Sequence, residues 1–364
     1  MHRSFKRPLW ILLALASIPR AFCSDPLVPT AAAAVDKVVA DNALKHGIPA
    51  QAVVVLHNGE PIYRHASGKV TVDGTSPVTF ETIFPAYSVS KLVASVLLLQ
   101  LVEEGKVALD APASRYVTNL PQGWRAITVE QFLNHVSGVP EFFDPGNPSA
   151  PFPPSAPAAF ERLAHTPLVD PPDTRTRYTG TDFLVIGAIL ESVTGIKYGD
   201  LARSRIFSPL GLRHTWLGLE NVPQGRLVAS YHGEGGRLVP DVPVAWPAYS
   251  VAHGELFSTA DDLATFLGAV ARGKLVSQKA LLRFWRPHAF PNGDLGYFSS
   301  GWEYGENGTW HEVGHDGGAK VRVRIRFQPD LKDHFVFVYL VNGSRDNVWS
   351  RTLVESVERI VVPQ

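Results

Sequence analysis

Ser88 and Lys91 stand three residues apart in Ser88-Val89-Ser90-Lys91, directly before the apolar-rich run Leu92 to Val102. If that run is a helix, residues three apart share a face, and hydroxyl and amine become neighbours. A serine hydroxyl attacks poorly until a base takes its proton, and a lysine serves as that base only when neutral. Burial beside an apolar helix and the positive end of the helix dipole both press Lys91 toward neutrality. The chemistry within reach of this pair is hydrolysis by an activated serine.

An S-x-x-K match is short enough to arise by chance, so the elements that would position it carry the argument. Phe84-Pro85-Ala86-Tyr87 leads in as an extended segment, because the residue before a proline is turned away from helix. Ser88 to Glu104 is apolar nearly all round, the pattern of a helix buried in a large domain, and Gly105 is placed to cap it. Before it, Ala31 to Lys45 is an amphipathic helix, and Asn58-Gly59 joins two short strands, Ala52 to His57 and Pro61 to His65, as a hairpin. From about Leu109 to His253 the chain is mainly helical with loops; Thr181 to Thr194 and Thr259 to Arg272 have clear start and stop signals. Strands return at Gly301 to Tyr304, Ala319 to Phe327 and His334 to Val341, and a helix over Arg345 to Ile360 closes the chain. Strands at both ends with helices between predict an α+β fold: an antiparallel sheet flanked by helices, with a mainly helical lobe inserted. Ten prolines and four phenylalanines (Phe142, Phe143, Phe152, Phe160) lie between Pro140 and Pro172. They predict an irregular loop, either an apolar lid or wall of a substrate site or a surface excursion, the former being favoured because long ordered loops are usually functional.

The first 23 residues read as a secretory signal: Arg3, Lys6 and Arg7, the apolar stretch Leu9 to Ile18, then Ala21-Phe22-Cys23 before Ser24. Phe22 is too bulky for a lipoprotein site at Cys23, and no other segment is long and apolar enough to span a bilayer. The expected product is therefore secreted, periplasmic or extracellular, with no stable membrane anchor. Removing residues 1–23 takes away four basic residues and no acidic one, leaving 30 basic against 34 acidic. A slightly acidic chain has no reason to seek nucleic acid. The single cysteine, Cys23, leaves with the signal, so stability rests on a hydrophobic core rather than on disulfides.

Further motifs follow the Ser-Lys pair in order. Leu133-Asn134-His135-Val136-Ser137-Gly138-Val139-Pro140, Tyr178-Thr179-Gly180, Ile206 to Leu212, Phe257 to Leu263 and Gly314-His315-Asp316-Gly317-Gly318 are each short. Together, over about Ile48 to Asn342, they resemble the serine β-lactamase and penicillin-binding protein superfamily. The likeness is to its class C-like branch of D-stereospecific peptidases, family VIII esterases and transesterases. It implies a single catalytic domain over 24–364, with an α/β lobe at about 24–108 and 254–364 and the helical lobe at about 109–253. It implies that Ser88 is acylated and that Lys91 and Tyr178 share the proton traffic, the phenol being anionic or strongly hydrogen-bonded by nearby cations. It further implies that the backbone N–H groups of Ser88 and Gly318 hold the oxyanion, and that His315 orients Tyr178 or the substrate. Neither cofactor nor metal is implied; the partner is a small ester, amide or peptide. Oligomeric state is silent in the sequence.

Two positions depart from the family pattern. Gly180 stands where an asparagine amide usually meets the substrate, and Asp316 where a hydroxyl usually helps to hold a carboxylate. An anionic Asp316 in the cleft would repel that carboxylate. With Gly317 and His253 as further cleft residues, these changes point to an esterase-like hydrolase rather than a β-lactamase or D-peptidase. A relative that has kept the fold as a non-catalytic sensor is the contrasting expectation. His311-Glu312-Val313-Gly314-His315 is also a literal H-E-x-x-H, which on a helix would signal a zinc peptidase. Its glycine-rich surroundings and Thr309, Trp310 and Val313 favour a strand, in which the two histidines lie about 13 Å apart at roughly 3.3 Å per residue.

Overall fold

The computed structural model describes residues 26–363 except 148, 149, 245 and 319. The expected export signal at 1–23 lies outside the described residues. Helix α1, Pro29–His46, ends where Gly47 turns left-handed at φ 58°. Strands β1, Ala50–His57, and β2, Glu60–Gly68, form the expected hairpin, with Asn58 and Gly59 both at positive φ in its turn. Strand β3, Phe84–Tyr87, leads to helix α2, Ser90–Glu103. Helix α3, Gly180–Thr194, is capped by the Thr179 side chain and stopped by left-handed Gly195. Strand β4, Leu256–Ser258, precedes helix α4, Ala260–Ala271. Strands β5 (Phe298–Ser299), β6 (Trp302–Asn307), β7 (Trp310–Gly317), β8 (Val321–Phe327) and β9 (His334–Val341) follow, then helix α5, Ser350–Val361.

The first and last strands meet in one antiparallel sheet, ordered β2-β1-β9-β8-β7-β6-β5. Side chains alternate across it with period two. Val53, Val55, Phe337 and Tyr339 pack beneath α1 and α5, while Ala52, Val54, Val338 and Leu340 face α4 and α2. Every residue of β9 is buried because both faces are covered. Each such large side chain contributes roughly 1.5–3 kcal/mol on burial, so the sheet is a rigid platform for whatever its edge presents.

Between β3 and β4 lies the inserted lobe, with helix Val129–Leu133 and α3, whose first half is buried. Against the expectation of an irregular segment over Pro140 to Pro172, Ala156–Leu163 is a helix: the Ser155 side chain caps it, and Pro157 falls in its first turn, where its missing N–H costs nothing. The lobe also contains strands that the helical expectation missed: Trp216–Leu217, which pairs with β4, and the hairpin of Tyr231–Glu234 with Arg237–Pro240. The four-residue strands of that hairpin alternate too briefly to declare themselves. No helix of the described residues is long and apolar enough to cross a membrane.

Candidate active site

The expected helix start at Ser88 is displaced by two residues. Tyr87 takes a left-handed φ of 47°, a conformation that a bulky residue adopts only when its surroundings enforce it. That kink sets Ser88 in the turn between β3 and α2, with its carbonyl accepting from Lys91 N at 2.9 Å. Lys91 sits in the first turn of α2, buried, with Nζ 3.5 Å from Ser88 Oγ. Its amine also donates to the carbonyl of His253. Burial pushes Lys91 down to about 7, against the opposing pull of Glu141 and Asp182. Near neutral pH a large share of this lysine is therefore unprotonated.

Tyr178 arrives from the inserted lobe and donates from its hydroxyl to Ser88 Oγ at 2.8 Å. Its position is fixed by His135, a buried residue at φ 56°. The His135 carbonyl accepts from Arg177 N at 2.7 Å, its Nδ1 accepts from Thr179 N at 3.4 Å, and its ring lies 4.6 Å from the Tyr178 ring. Residue 178 is thus bracketed on both sides. His135 Nδ1 also meets Asp182 at 2.7 Å, and Ser137 donates to the other oxygen of that carboxyl. Burial raises the Asp182 carboxyl and lowers the His135 imidazole, so it presses both groups toward their uncharged forms.

Of the two states expected of the phenol, anionic or strongly hydrogen-bonded by nearby cations, its environment disfavours the first. Lys91 Nζ lies 4.7 Å from the ring centroid, yet burial raises the hydroxyl, and Glu303, Glu141 and Asp316 add to it, outweighing the Ser88 hydrogen bond. One ring face is open, since Tyr178 is 47% exposed. Solvent there tempers the size of the shift; the direction stands because the hydroxyl end faces Ser88 rather than bulk water. Tyr178 is a neutral donor, and Lys91 is the group with base character.

Strand β7 forms the opposite wall. His315 faces the cleft, its ring 5.8 Å from that of Tyr178, and Nδ1 bonds the Asp316 carbonyl at 2.7 Å. Burial lowers its imidazole, which is neutral. Gly317 is required here: a Cβ would stand 2.3 Å from the Ala86 carbonyl oxygen. Its absence lets β7 run against β3 and brings Gly318, at φ 57°, into one cavity of about 290 Å³ with Ser88, Tyr87, Trp246, His253 and Lys320. Ser88 and Gly318, the two residues whose amides are expected to hold the oxyanion, thus line the same cavity.

Asp316 departs from its expected place. Alternation along β7 turns its side chain to the far side, where Arg322 Nη1 binds both carboxylate oxygens at 2.8 and 2.9 Å. Arg324 at 3.0 Å and the Trp349 indole at 3.0 Å complete its shell. Burial opposes its ionisation, but Arg324 and Arg322 prevail and hold it below the usual carboxylate range. It is a compensated structural anion and does not meet substrate.

Glu141, which the sequence reading passed over, occupies the space left by Gly180. Its Oε2 accepts from Gly180 N at 2.8 Å and Oε1 from Thr181 N at 3.2 Å, at the amino end of α3. A Cβ at 180 would meet His253, Glu141 and Phe142 at 2.9, 3.0 and 3.2 Å. The usual asparagine has no room there. The available signal was the place of Glu141 directly after the Leu133 to Pro140 segment, together with the missing side chain at 180. His253 lines the Ser88 cavity and donates from Nδ1 to the Ser250 carbonyl at 2.6 Å; burial pushes its imidazole down to about 3.

A larger cavity, about 1000 Å³, lies elsewhere, among Lys197, Arg203 and Trp216, and touches none of these groups. The H-E-x-x-H segment is on β7, where His311 bonds Tyr304 at 2.7 Å and His315 faces Tyr178. No group of three or more metal-ligating side chains occurs among the described residues.

A serine hydroxyl between a depressed amine and a phenol, in one cavity with Gly318, has the parts of a serine hydrolase that works through an acyl-enzyme. A family model described as Beta-lactamase matches residues 31–352. The chain belongs to that family. Penicillin-binding protein 4 of Amycolatopsis lactamdurans is 28% identical over 296 residues, 76% of each chain. A beta-lactamase of Escherichia coli K12 is 26% identical over 263 residues, covering 70% of this chain and 66% of that one. Among solved structures, EstCE1, a hydrolase with promiscuous acyltransferase activity, superposes with a TM-score of 0.75 at 19% identity, over 91% of this chain and 98% of that one. D-amino acid amidase from Ochrobactrum anthropi SV3 gives 0.74 at 23%, over 91% and 99%.

Proposed function

We propose that the protein is a secreted or periplasmic esterase-like hydrolase that forms a covalent acyl-enzyme at Ser88. Neutral Lys91 takes the proton as Ser88 Oγ attacks the ester or amide carbonyl, and the amides of Ser88 and Gly318 receive the oxyanion. The bond from the carbonyl carbon to its leaving group breaks; the leaving alcohol or amine acquires a proton through the Lys91–Tyr178 pair. Water then attacks the acyl-serine with the same groups in reversed roles. His315, Gly317 and His253 shape the cavity.

The observation that carries the preference for neutral substrates is Glu141. It stands where an amide donor would be expected, and a carboxylate there opposes the anionic carboxylate of a β-lactam or peptide terminus. The test is a panel of short p-nitrophenyl esters, nitrocefin and D-amino-acid amides with wild type and Ser88→Ala. Turnover of the esters well above nitrocefin, lost in Ser88→Ala, is the expected result. Nitrocefin hydrolysed as fast as the esters would overturn the preference, and equal activity in both proteins would overturn the nucleophile. Because the base form of Lys91 is required and its value is about 7, kcat/KM should climb as pH rises through about 7. Lys91→Arg should be inactive at every pH, since a guanidinium keeps its proton. The export reading rests on residues 1–23 and is checked by an N-terminal sequence starting at Ser24.

A further inference from the structure

The Pro-rich segment builds a second cavity beside the Ser88 cavity, of about 330 Å³, walled by Phe143, Phe152, Leu163 and Val244. Trp246 borders both cavities. Its indole lies 4.5 Å from the His253 ring on the Ser88 side and 4.8 and 4.9 Å from Phe143 and Phe152 on the other. The partition is built in place: the Trp246 amide donates to Glu255 Oε1 at 3.3 Å, and Glu255 is buried at φ 72°. Glu141 and Asp144 stand at the cavity's edge, and its one cation, Arg162, is engaged with the Phe142 carbonyl.

We propose that this second cavity is an acyl-group pocket, and that the preferred substrates carry an aromatic, uncharged acyl group reaching past Trp246. The inference rests on the acyl-enzyme reading and adds the substrate class. The acyl group stays attached through both half-reactions and gains from a closed aromatic wall. The leaving group and the incoming water need the open cavity, which Lys320 makes polar. Stacking on Phe143, Phe152 and Trp246 favours an aryl ring. The carboxylates at the edge disfavour an anionic one, because a like charge brought into a desolvated rim is repelled.

The test uses p-nitrophenyl acetate, phenylacetate and 4-carboxyphenylacetate as substrates for the whole protein. Wild type should show kcat/KM at least about tenfold higher for phenylacetate than for acetate, the scale on which apolar pockets discriminate. The carboxylated ester should fall back by at least the same factor. Val244→Trp and Ala150→Trp, at two residues that line the pocket, should bring the ratio of phenylacetate to acetate kcat/KM to about one while acetate is still hydrolysed. Equal kcat/KM for the two neutral esters in wild type, or a phenylacetate advantage that persists in both filled variants, would overturn the pocket while leaving the Ser88 reading intact. No hydrolysis of any ester, with no fluorophosphonate labelling of Ser88, would overturn both.

Discussion

Two buried polar clusters flank the Ser88 cleft, and they solve the problem of burial in opposite ways. Along β7, the acidic Asp316 and Glu303 are matched by Arg322 and Arg324, with Arg324 paired to both acids. Beneath Tyr178, around His135, Asp182 and Ser137, burial instead disfavours charge, raising the carboxyl and lowering the imidazole. A pair of full charges out of water demands close, well-directed partners, and the sheet supplies them at fixed spacing. The inserted lobe offers no cation to Asp182 except the lysine that must stay uncharged. Had Asp182 been ionised, it would have drawn Lys91 toward its charged form. An uncharged Asp182 therefore favours the base form of Lys91, whereas the charged cluster reaches the cleft through Glu303, 3.8 Å from His315 Nδ1, and helps to raise the Tyr178 hydroxyl.

The sharpest way to break the contrast is to remove one partner from each cluster. Arg324→Met leaves Glu303 and Asp316 buried without their shared cation and should cost about 3–5 kcal/mol, read as a lower midpoint in urea. His135→Asn is milder in stability. Asparagine tolerates the left-handed backbone at 135, and the loss should stay within about 1–2 kcal/mol as hydrogen bonds are exchanged. Its effect belongs to Tyr178: with the ring bracket gone, kcat should fall about 10²-fold, the scale of a misplaced catalytic group. KM should change little, because His135 sits behind the tyrosine rather than beside substrate. A kcat unchanged in a folded His135→Asn protein would show that Tyr178 is held by other contacts.

The two aspartates should also give stability slopes of opposite sign with pH. The folded pKa of Asp316 lies below the ordinary value near 3.8. Its contribution is therefore full above that value and is lost as acid reaches the lower folded pKa. Asp182 is raised well above 3.8. Between 3.8 and its folded pKa the native state holds the extra proton, so stability falls as pH rises through that window. Asp316→Asn should flatten the acid limb, and Asp182→Asn the decline above it. Unfolding free energies across pH 3 to 8 measure both; matching profiles for the two variants would refute the division into charged and neutral clusters.

Much of this was legible in the chain because it depends on local spacing. The three-residue gap from Ser88 to Lys91, the Asn58-Gly59 turn and the alternation of β8 and β9 each fix geometry within a few residues. Tyr178 was found through its motif, but its protonation state was not, since that depends on carboxylates brought in from Glu141, Glu303 and Asp316 by the fold. Asp316 was placed on the wrong wall because a motif read as a string ignores the alternation of a strand: neighbours 315 and 316 point to opposite faces. Glu141 stayed hidden because a side chain that fills the gap left by another residue, 39 positions away, leaves no periodic trace.

The smallest effect is expected at the margin of the charged cluster. Trp349 is 57% exposed, and its indole donates to Asp316 Oδ2 at 3.0 Å. Trp349→Phe keeps most of the ring and removes that donor, but Arg322 and Arg324 still hold the carboxylate. The loss should be about 1 kcal/mol or less, with no change in ester hydrolysis, because the Asp316 carboxylate stays in place on Arg322 and Arg324. An activity loss in a stable Trp349→Phe protein would mean that the anion communicates with His315 through their shared backbone. The strand would then couple the two sides of the site rather than insulate them.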